Sequence, residues 1–170
     1  MFIKLQIKII IGGKIKYMYK KNVVVLDLDG VILDTAFLFN EIFELKLKGN
    51  AMWDYFHANC NSDKVKLIEG FPDLYVNLYD MRIHSDVLFI ILTSRNESVR
   101  KETELKLRKE GVFFDKLLMR PKDDYREANI LKKEALEELK KEYNILMFID
   151  DDLNNCNAAK ELGIYSLRKV

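Results

Sequence analysis

Residues 23–35 read V-V-V-L-D-L-D-G-V-I-L-D-T. Four apolar residues, three of them valine, make a short buried strand. Asp27 and Asp29 follow at alternate positions, with Gly30 beside them. In extended backbone, residues i and i+2 point to one side, so both carboxylates are expected to leave the strand end toward one spot. Like charges that close are costly unless a cation or a proton joins them. The spot is either a metal site or an acid–base pair; taken alone, the segment also reads as an ordinary acidic turn after a strand. Gly30 lets the backbone turn sharply there.

Working outward, V-L-F-I-I-L-T-S-R (87–95), L-L-M-R (117–120), I-L-M-F-I-D-D-D (145–152) and Y-S-L-R (165–168) read as further strands. Between them the patterning predicts helices over 35–49 (stopped by Gly49), 51–60, 72–84 and 125–143. Another opens on a Ser94-x-x-Glu97 capping box and ends at Gly111, and a last one runs to Gly163. Buried strands alternating with helices predict an α/β, Rossmann-like fold: a parallel sheet of about five strands with helices on both faces. Ligands of such sheets sit at the carboxyl ends of the strands. Asp27 and Asp29, Thr93 and Arg95, Arg120, and Asp150 to Asp152 are therefore expected to meet on one sheet edge. The stretch at about 35–86 reads as a small helical insert, too short for a large cap domain, which leaves the site open to extended substrates.

The chain has 170 residues, 49% hydrophobic and 32% charged, which suits one soluble globular domain. A net charge of +1 gives no whole-chain footprint for long duplex nucleic acid and leaves room for a local basic groove. Cys60 and Cys156 make no disulfide framework and read as idle thiols in a reducing cytosol, so a cytoplasmic location is expected. No apolar run approaches the ~20 residues of a membrane span. Residues 1–22 make a poor signal peptide, with lysine inside the apolar stretch and no small-residue cleavage site. They read as an N-terminal extension that adds an edge strand. Alternatively the chain starts at Met18, and Gly12-Gly13 is an in-frame reading of a ribosome-binding site. The domain proper is 23–170.

Phosphoryl transfer needs a nucleophile, an acid–base group, donors for the phosphoryl oxygens and a cation. Asp27 can attack phosphorus, and Asp29 can protonate the leaving oxygen and then activate water. Thr93 is expected beside a helix N-terminus, where it either holds an anion or merely caps the helix. Lys132 can supply positive charge, with Lys122 and Lys133 as rivals. Asp27 and Asp150 offer oxygen ligands that suit Mg²⁺ better than Ca²⁺. Asn154 and Asn155 either orient waters on the metal or simply start a helix. Trp53, Tyr55 and Phe56 either stack on a base or pack the insert. His57 and His84 read as structural, and Lys101 to Lys109 as a solvated helix face.

These segments resemble the haloacid dehalogenase (HAD) superfamily of aspartate-nucleophile phosphatases. D-L-D-G-V is similar to its first motif, I-I-L-T-S-R to its second and F-I-D-D-D to its fourth, and Lys132 sits where its third-motif lysine is expected. The resemblance covers 23–170, and the first and fourth motifs together are specific. It implies an aspartyl-phosphate intermediate on Asp27 with Asp29 as acid–base, and phosphate contacts from Thr93, Ser94 and Lys132. It also implies Mg²⁺ held by Asp27, Asp150, Asp151 and the backbone carbonyl of Asp29.

L-L-M-R-P-K-D-D-Y-R-E-A-N-I-L-K-K-E-A-L, with W-D-Y-F and T-S-R-N-E-S-V-R-K-E-T, is similar to phosphatase domains like the 3′-phosphatase half of bacteriophage polynucleotide kinase. That resemblance implies a 3′-phosphate on a polynucleotide end or nucleotide as substrate, with Arg95 as a phosphate contact and Arg120 and Arg126 as further candidates; each of the three also reads as a surface or ion-pair arginine. The chain departs from the pattern at Ala128-Asn129, where that group often has an acid. A G-x-x-x-x-G-K-[ST] loop is absent, so any kinase or ligase would be a separate partner. The alternatives are a phosphatase of free 5′-nucleotides or other small phosphate esters, and a non-catalytic binding protein on the same fold.

Overall fold

The computed structural model describes residues 6–11 and 14–170. β1 (Gln6–Ile11) and β2 (Lys14–Tyr19) pair antiparallel as a two-stranded sheet of their own. They do not supply the edge strand expected from the sequence; strands so close in the chain pair with little loop-closure cost. Gly12-Gly13, which bears on the alternative start, lies outside the described residues.

β3 (Lys21–Leu26) is the buried strand of the opening motif. After it, β4 (Leu33–Asp34) leads into α1 (Ala36–Glu44) and α2 (Asn50–Asn59). β5 (Lys66–Leu67) returns to pair with β4, closing the base of the insert. α3 (Phe71–Ser85), β6 (Leu88–Asn96), a 3-10 turn (Glu97–Val99) and α4 (Arg100–Lys109) follow. The chain continues through β7 (Lys116–Arg120), α5 (Ala128–Glu142), β8 (Tyr143–Asp150), α6 (Leu153–Glu161) and β9 (Ser166–Arg168).

The main sheet has the five-stranded order β7-β6-β3-β8-β9, and every pairing in it is parallel. This is the expected α/β sheet. β3 is central because it is buried on both faces: Val24 and Leu26 pack under α1 to α4, Val23 and Val25 under α5 and α6. From β3 the chain first builds outward through β6 and β7, then crosses to β8 on the other side. That reversal opens a crevice at the carboxyl end of β3, where such sheets bind ligands.

Three boundaries differ from the sequence reading, each for a local reason. α1 stops near Glu44 rather than at Gly49. Lys46 takes a positive φ of 54°, its N–H donates to Phe43 O, and the Leu47 N–H donates back to Ile42 O. This left-handed cap turns Leu47 into the core. The Ser94–Glu97 capping box does not form, because β6 runs on to Asn96, which pairs with Arg120 and accepts from Ser98 N–H as the cap. α5 starts at Ala128 rather than 125, because Arg120 holds the preceding loop by the carbonyls of Asp124 and Arg126.

Candidate active site

β3 and β8 deliver Asp27 and Asp150 to neighbouring strand ends, and the Asp27 N–H continues the ladder by donating to Ile149 O. Lys132 reaches them from α5, the helix that crosses between the two halves of the sheet. Its Nζ lies 2.8 Å from Asp27 Oδ1 and 2.8 Å from Asp150 Oδ2. All three are buried. Burial works to lower the Lys132 ammonium, but the two carboxylates outweigh it and hold it up at about 12. Burial also pushes Asp27 above the ordinary carboxylate range; Lys132 opposes this and Asp150 adds to it. Of the rival lysines, Lys133 pairs instead with Glu161 at 2.7 Å, and Lys122 is exposed on the β7–α5 loop.

Asp151 completes a group of three: one oxygen each of Asp27, Asp150 and Asp151 lie within 4.8 Å of one another. Gly30 makes room for it. A Cβ built on Gly30 would overlap the Asp151 carboxylate, and the φ of +77° suits glycine. Asp150 is further fixed by the Asp152 N–H at 2.9 Å and Asn155 Nδ2 at 3.0 Å. The other side-chain atom of Asn155, Oδ1, is buried without a hydrogen-bond partner among the described residues. Three carboxylates with one ammonium among them carry excess negative charge, and all the free donors are oxygen. Such a set fits a hard divalent cation.

The Asp29 carboxylate is not in that group. β3 ends at Leu26, so Asp27 and Asp29 lie in the turn beyond it and part company. Asp29 turns to Arg95, whose Nε donates to Oδ2 at 2.9 Å and whose second terminal nitrogen donates to Oδ1 at 2.7 Å. Arg95 is 1% exposed. Its remaining terminal nitrogen donates to Asn61 Oδ1 at 2.7 Å and Thr103 Oγ1 at 3.4 Å. Arg95, expected as a phosphate contact, is thus a buried guanidinium with four of its five N–H groups already donated to Asp29, Asn61 and Thr103. Asn61 was missed because nothing in the insert's sequence marks it.

Thr93, Ser94 and Arg95 owe their placement to an irregularity in β6. Its register with β7 runs to Leu92↔Leu118 and resumes only at Asn96↔Arg120, so β6 carries two extra residues there. Such bulges re-aim side chains beside sites. Thr93 thus lies inside β6 and not at the helix start that was expected. Its Oγ1 accepts the Arg95 N–H at 3.1 Å, which leaves the hydroxyl proton free to donate. Ser94 Oγ is buried without a partner among the described residues.

Arg120 and Arg126 are not brought to the carboxylates. Arg120 donates to Ser94 O at 3.1 Å and to loop carbonyls. Arg126 pairs with Asp124 and Glu134, each at 2.6 Å. Both line a cleft of about 340 Å³ that begins at Ser94 and Asn96 and is walled by α2 and the β7–α5 loop. His57 faces it and accepts the Asn96 N–H through Nε2 at 3.4 Å; its burial and nearby Arg95 push its imidazole below the ordinary range. The expected solvated face of α4 holds at Lys101, Glu102, Arg108 and Lys109, which are exposed, but not at Lys106, which is buried, bonded to Val65 O and paired with Glu110 at 2.8 Å.

A family model described as HAD superfamily, subfamily IIIB (acid phosphatase) matches residues 4–168. Among solved structures, the chain is similar to a chain of the Pnkp1/Rnl/Hen1 complex. The identity is 26% over 88% of this chain and 46% of that one, at a TM-score of 0.65. A chain of the Pnkp1/Rnl/Hen1 RNA repair complex gives 25% identity over 88% and 42%, at a TM-score of 0.67. The class C acid phosphatase from Bacillus anthracis with tungstate bound shares the fold at 17% identity, over 86% and 67% of the two chains, at a TM-score of 0.61. The chain thus spans less than half the length of the two repair-complex chains it matches. No curated protein matches the sequence.

Proposed function

This chain belongs to the HAD superfamily, subfamily IIIB (acid phosphatase), and on that premise we propose that it removes a 3′-phosphate from a polynucleotide end or nucleotide through an aspartyl-phosphate intermediate. It is a HAD-type phosphatase; the substrate, the mechanism, Mg²⁺ and the residue roles are the added reading. One observation carries the mechanism: Lys132 is locked between Asp27 and Asp150 while Arg95 holds Asp29 apart from them.

In this reading Asp27 attacks phosphorus. Lys132 occupies Oδ1 and leaves Oδ2 free. The bond to the leaving sugar oxygen breaks as Asp29 gives that oxygen a proton. Asp29 then takes a proton from water, which attacks the phosphoryl group and releases phosphate and free Asp27. The Thr93 hydroxyl, with Ser94 beside it, donates to phosphoryl oxygens. Asp27, Asp150, Asp151 and the Asp29 carbonyl would hold Mg²⁺, and Asn155 Oδ1, without a partner among the described residues, is a further acceptor on the side chain that bonds Asp150. When bound, the ion supplies charge that offsets repulsion between carboxylate and phosphate dianion.

The preference for nucleic acid draws support from the likeness to a chain of an RNA repair complex and from the M-R-P-K-D-D-Y-R segment. A separate kinase or ligase would then supply the other steps of end repair. Residues 23–170 form the phosphatase domain in this reading, with 35–86 as its small helical insert and 1–22 as an extension.

The test is phosphate release with Mg²⁺ from a 3′-phosphorylated oligonucleotide, run beside a 5′-phosphorylated one, a nucleotide panel and Asp27→Asn. Selective 3′ release, lost in the variant, is expected. Release from mononucleotides alone would remove the polynucleotide preference and leave the mechanism standing.

A further inference from the structure

α4 carries a buried lysine that the phosphatase chemistry does not use. Lys106 is 4% exposed, and a methionine would fill the same space without the cost of burying an ammonium. The ammonium holds the turn between α2 and β5. It donates to Val65 O in that turn and pairs with Glu110, at the end of α4, at 2.8 Å. Thr103, one turn earlier on the same helix face, is buried as well. Its Oγ1 accepts from Asn61 Nδ2 at 3.3 Å. One face of α4 thus grips the insert's turn at both ends, Asn61 and Val65.

Asn61 passes that grip on. Its Oδ1 accepts from Arg95 at 2.7 Å while its Nδ2 donates to Thr103, so both ends of the amide are engaged. An aspartate there would offer Arg95 a second carboxylate in competition with Asp29, and a leucine would offer it nothing. The Arg95 side chain is fully buried, whereas that of Asp29 is 22% exposed. The acid therefore reaches the solvent side while one arginine braces both its oxygens from within. Each oxygen keeps a lone pair beyond the one Arg95 uses. We propose that Asn61 is a positioning residue for catalysis: latched to α4 through Thr103 and, along its turn, through Lys106, it orients Arg95 and so aims Asp29 at the leaving oxygen. The inference rests on the reading of Asp29 as the acid–base group, and it gives the helical insert a part in the chemistry.

The first readout is the dependence on the leaving group. A sugar oxygen must take a proton as its bond to phosphorus breaks, whereas para-nitrophenolate leaves as a stable anion and needs none. The ratio kcat/KM covers the steps up to transfer onto Asp27. Asn61→Leu is expected to lower kcat/KM for a 3′-nucleotide about tenfold and to leave that for para-nitrophenyl phosphate within about twofold. Hydrolysis of the aspartyl-phosphate needs Asp29 as base, so the variant should also release a burst of para-nitrophenol ahead of slow turnover. Thr103→Val should show the same pattern, and Thr103→Ser, which keeps the hydroxyl, should restore native values. Equal losses on the two esters, or no loss on either, overturn the proposal.

The second readout needs no turnover. The Arg95 Nε–H is buried and bonded to Asp29, so in isotope-labelled protein its NMR signal should exchange slowly with water. Asn61→Leu and Lys106→Met are expected to speed that exchange by about tenfold, while the amides of β3, in the middle of the sheet, keep their protection. Unchanged exchange at Arg95 overturns the positioning role, whatever the enzyme turns over. Where loss of the buried cation in Lys106→Met unfolds the protein, Asn61→Leu decides alone. If Asp29→Asn lowers both esters equally, it is the acid–base reading that fails, and exchange at Arg95 still decides the latch.

Discussion

Lys132 compensates two buried carboxylates at once. Replacing it with methionine keeps the volume and leaves two buried acids without their counter-charge. Removing one member of a buried ion pair typically costs ~3–5 kcal/mol. Lys132→Met is therefore expected to lower the urea midpoint sharply in metal-free protein, and added Mg²⁺ should recover part of the loss by binding the folded state. A fall of less than ~1 kcal/mol would mean the acids are protonated and need no counter-charge.

Cys60 carries a separate, pH-linked contribution. Burial pushes its thiol from 9.0 to about 11. The folded state therefore disfavours the thiolate. The stabilising effect is complete below pH 9, where both states keep the proton, and is lost as pH rises through about 11. Compared with Cys60→Ala, the native chain should lose on the order of 2 kcal/mol more between pH 8 and pH 11 in urea titrations. Parallel pH profiles for the two proteins would show that the thiol ionises freely in the fold.

Among the elements, the turn after β3 and the bulge in β6 do what neither strand could do alone. Gly30 clears space for Asp151, so Gly30→Ala should displace that carboxylate and strain a φ of +77°. The expected result is a stability cost of ~1–2 kcal/mol and a large rise in the Mg²⁺ concentration needed for phosphate release, read from a metal titration. An unchanged metal requirement would remove Asp151 from the proposed ligand set.

These two elements also mark how far sequence patterning reaches. Buried strands ending in acids are legible because a two-residue period and β-branched runs are local properties. From them follow the parallel sheet and the meeting of Asp27 with Asp150. The reversal of Arg95 is not legible. A motif read as T-S-R at a strand end has no local signal for two extra residues in β6 or for an acceptor on Asn61, in the distant turn after α2. The early stop of α1 had the same cause: Lys46 takes a left-handed conformation because Leu47 has a core to enter.

For the whole molecule, the net charge of +1 means that any hold on a nucleic-acid strand comes from local cations around the cleft, such as Lys122 and Arg126. Binding of a single strand by Z such contacts weakens with salt at a log–log slope of about −0.7Z. KM for a 3′-phosphorylated oligonucleotide is expected to rise as salt goes from 50 to 200 mM, while KM for a 3′-mononucleotide changes much less. Equal salt responses would confine recognition to the terminal nucleotide.

The topology of the sheet sets when this site can exist. β3 pairs with β6 on one side, but on the other it waits for β8, and Lys21 meets Tyr143 across more than a hundred residues of chain. Pairings of such long range form late, and synthesis proceeds from the N-terminus. A nascent chain therefore carries Asp27 long before it has made Lys132 or Asp150. Until β8 docks, Val23 and Val25 lack their cover, and the strand edge beside them is unpaired. A growing polypeptide thus has no phosphate chemistry to perform, and over that interval its exposed valine edge makes it a client for chaperones.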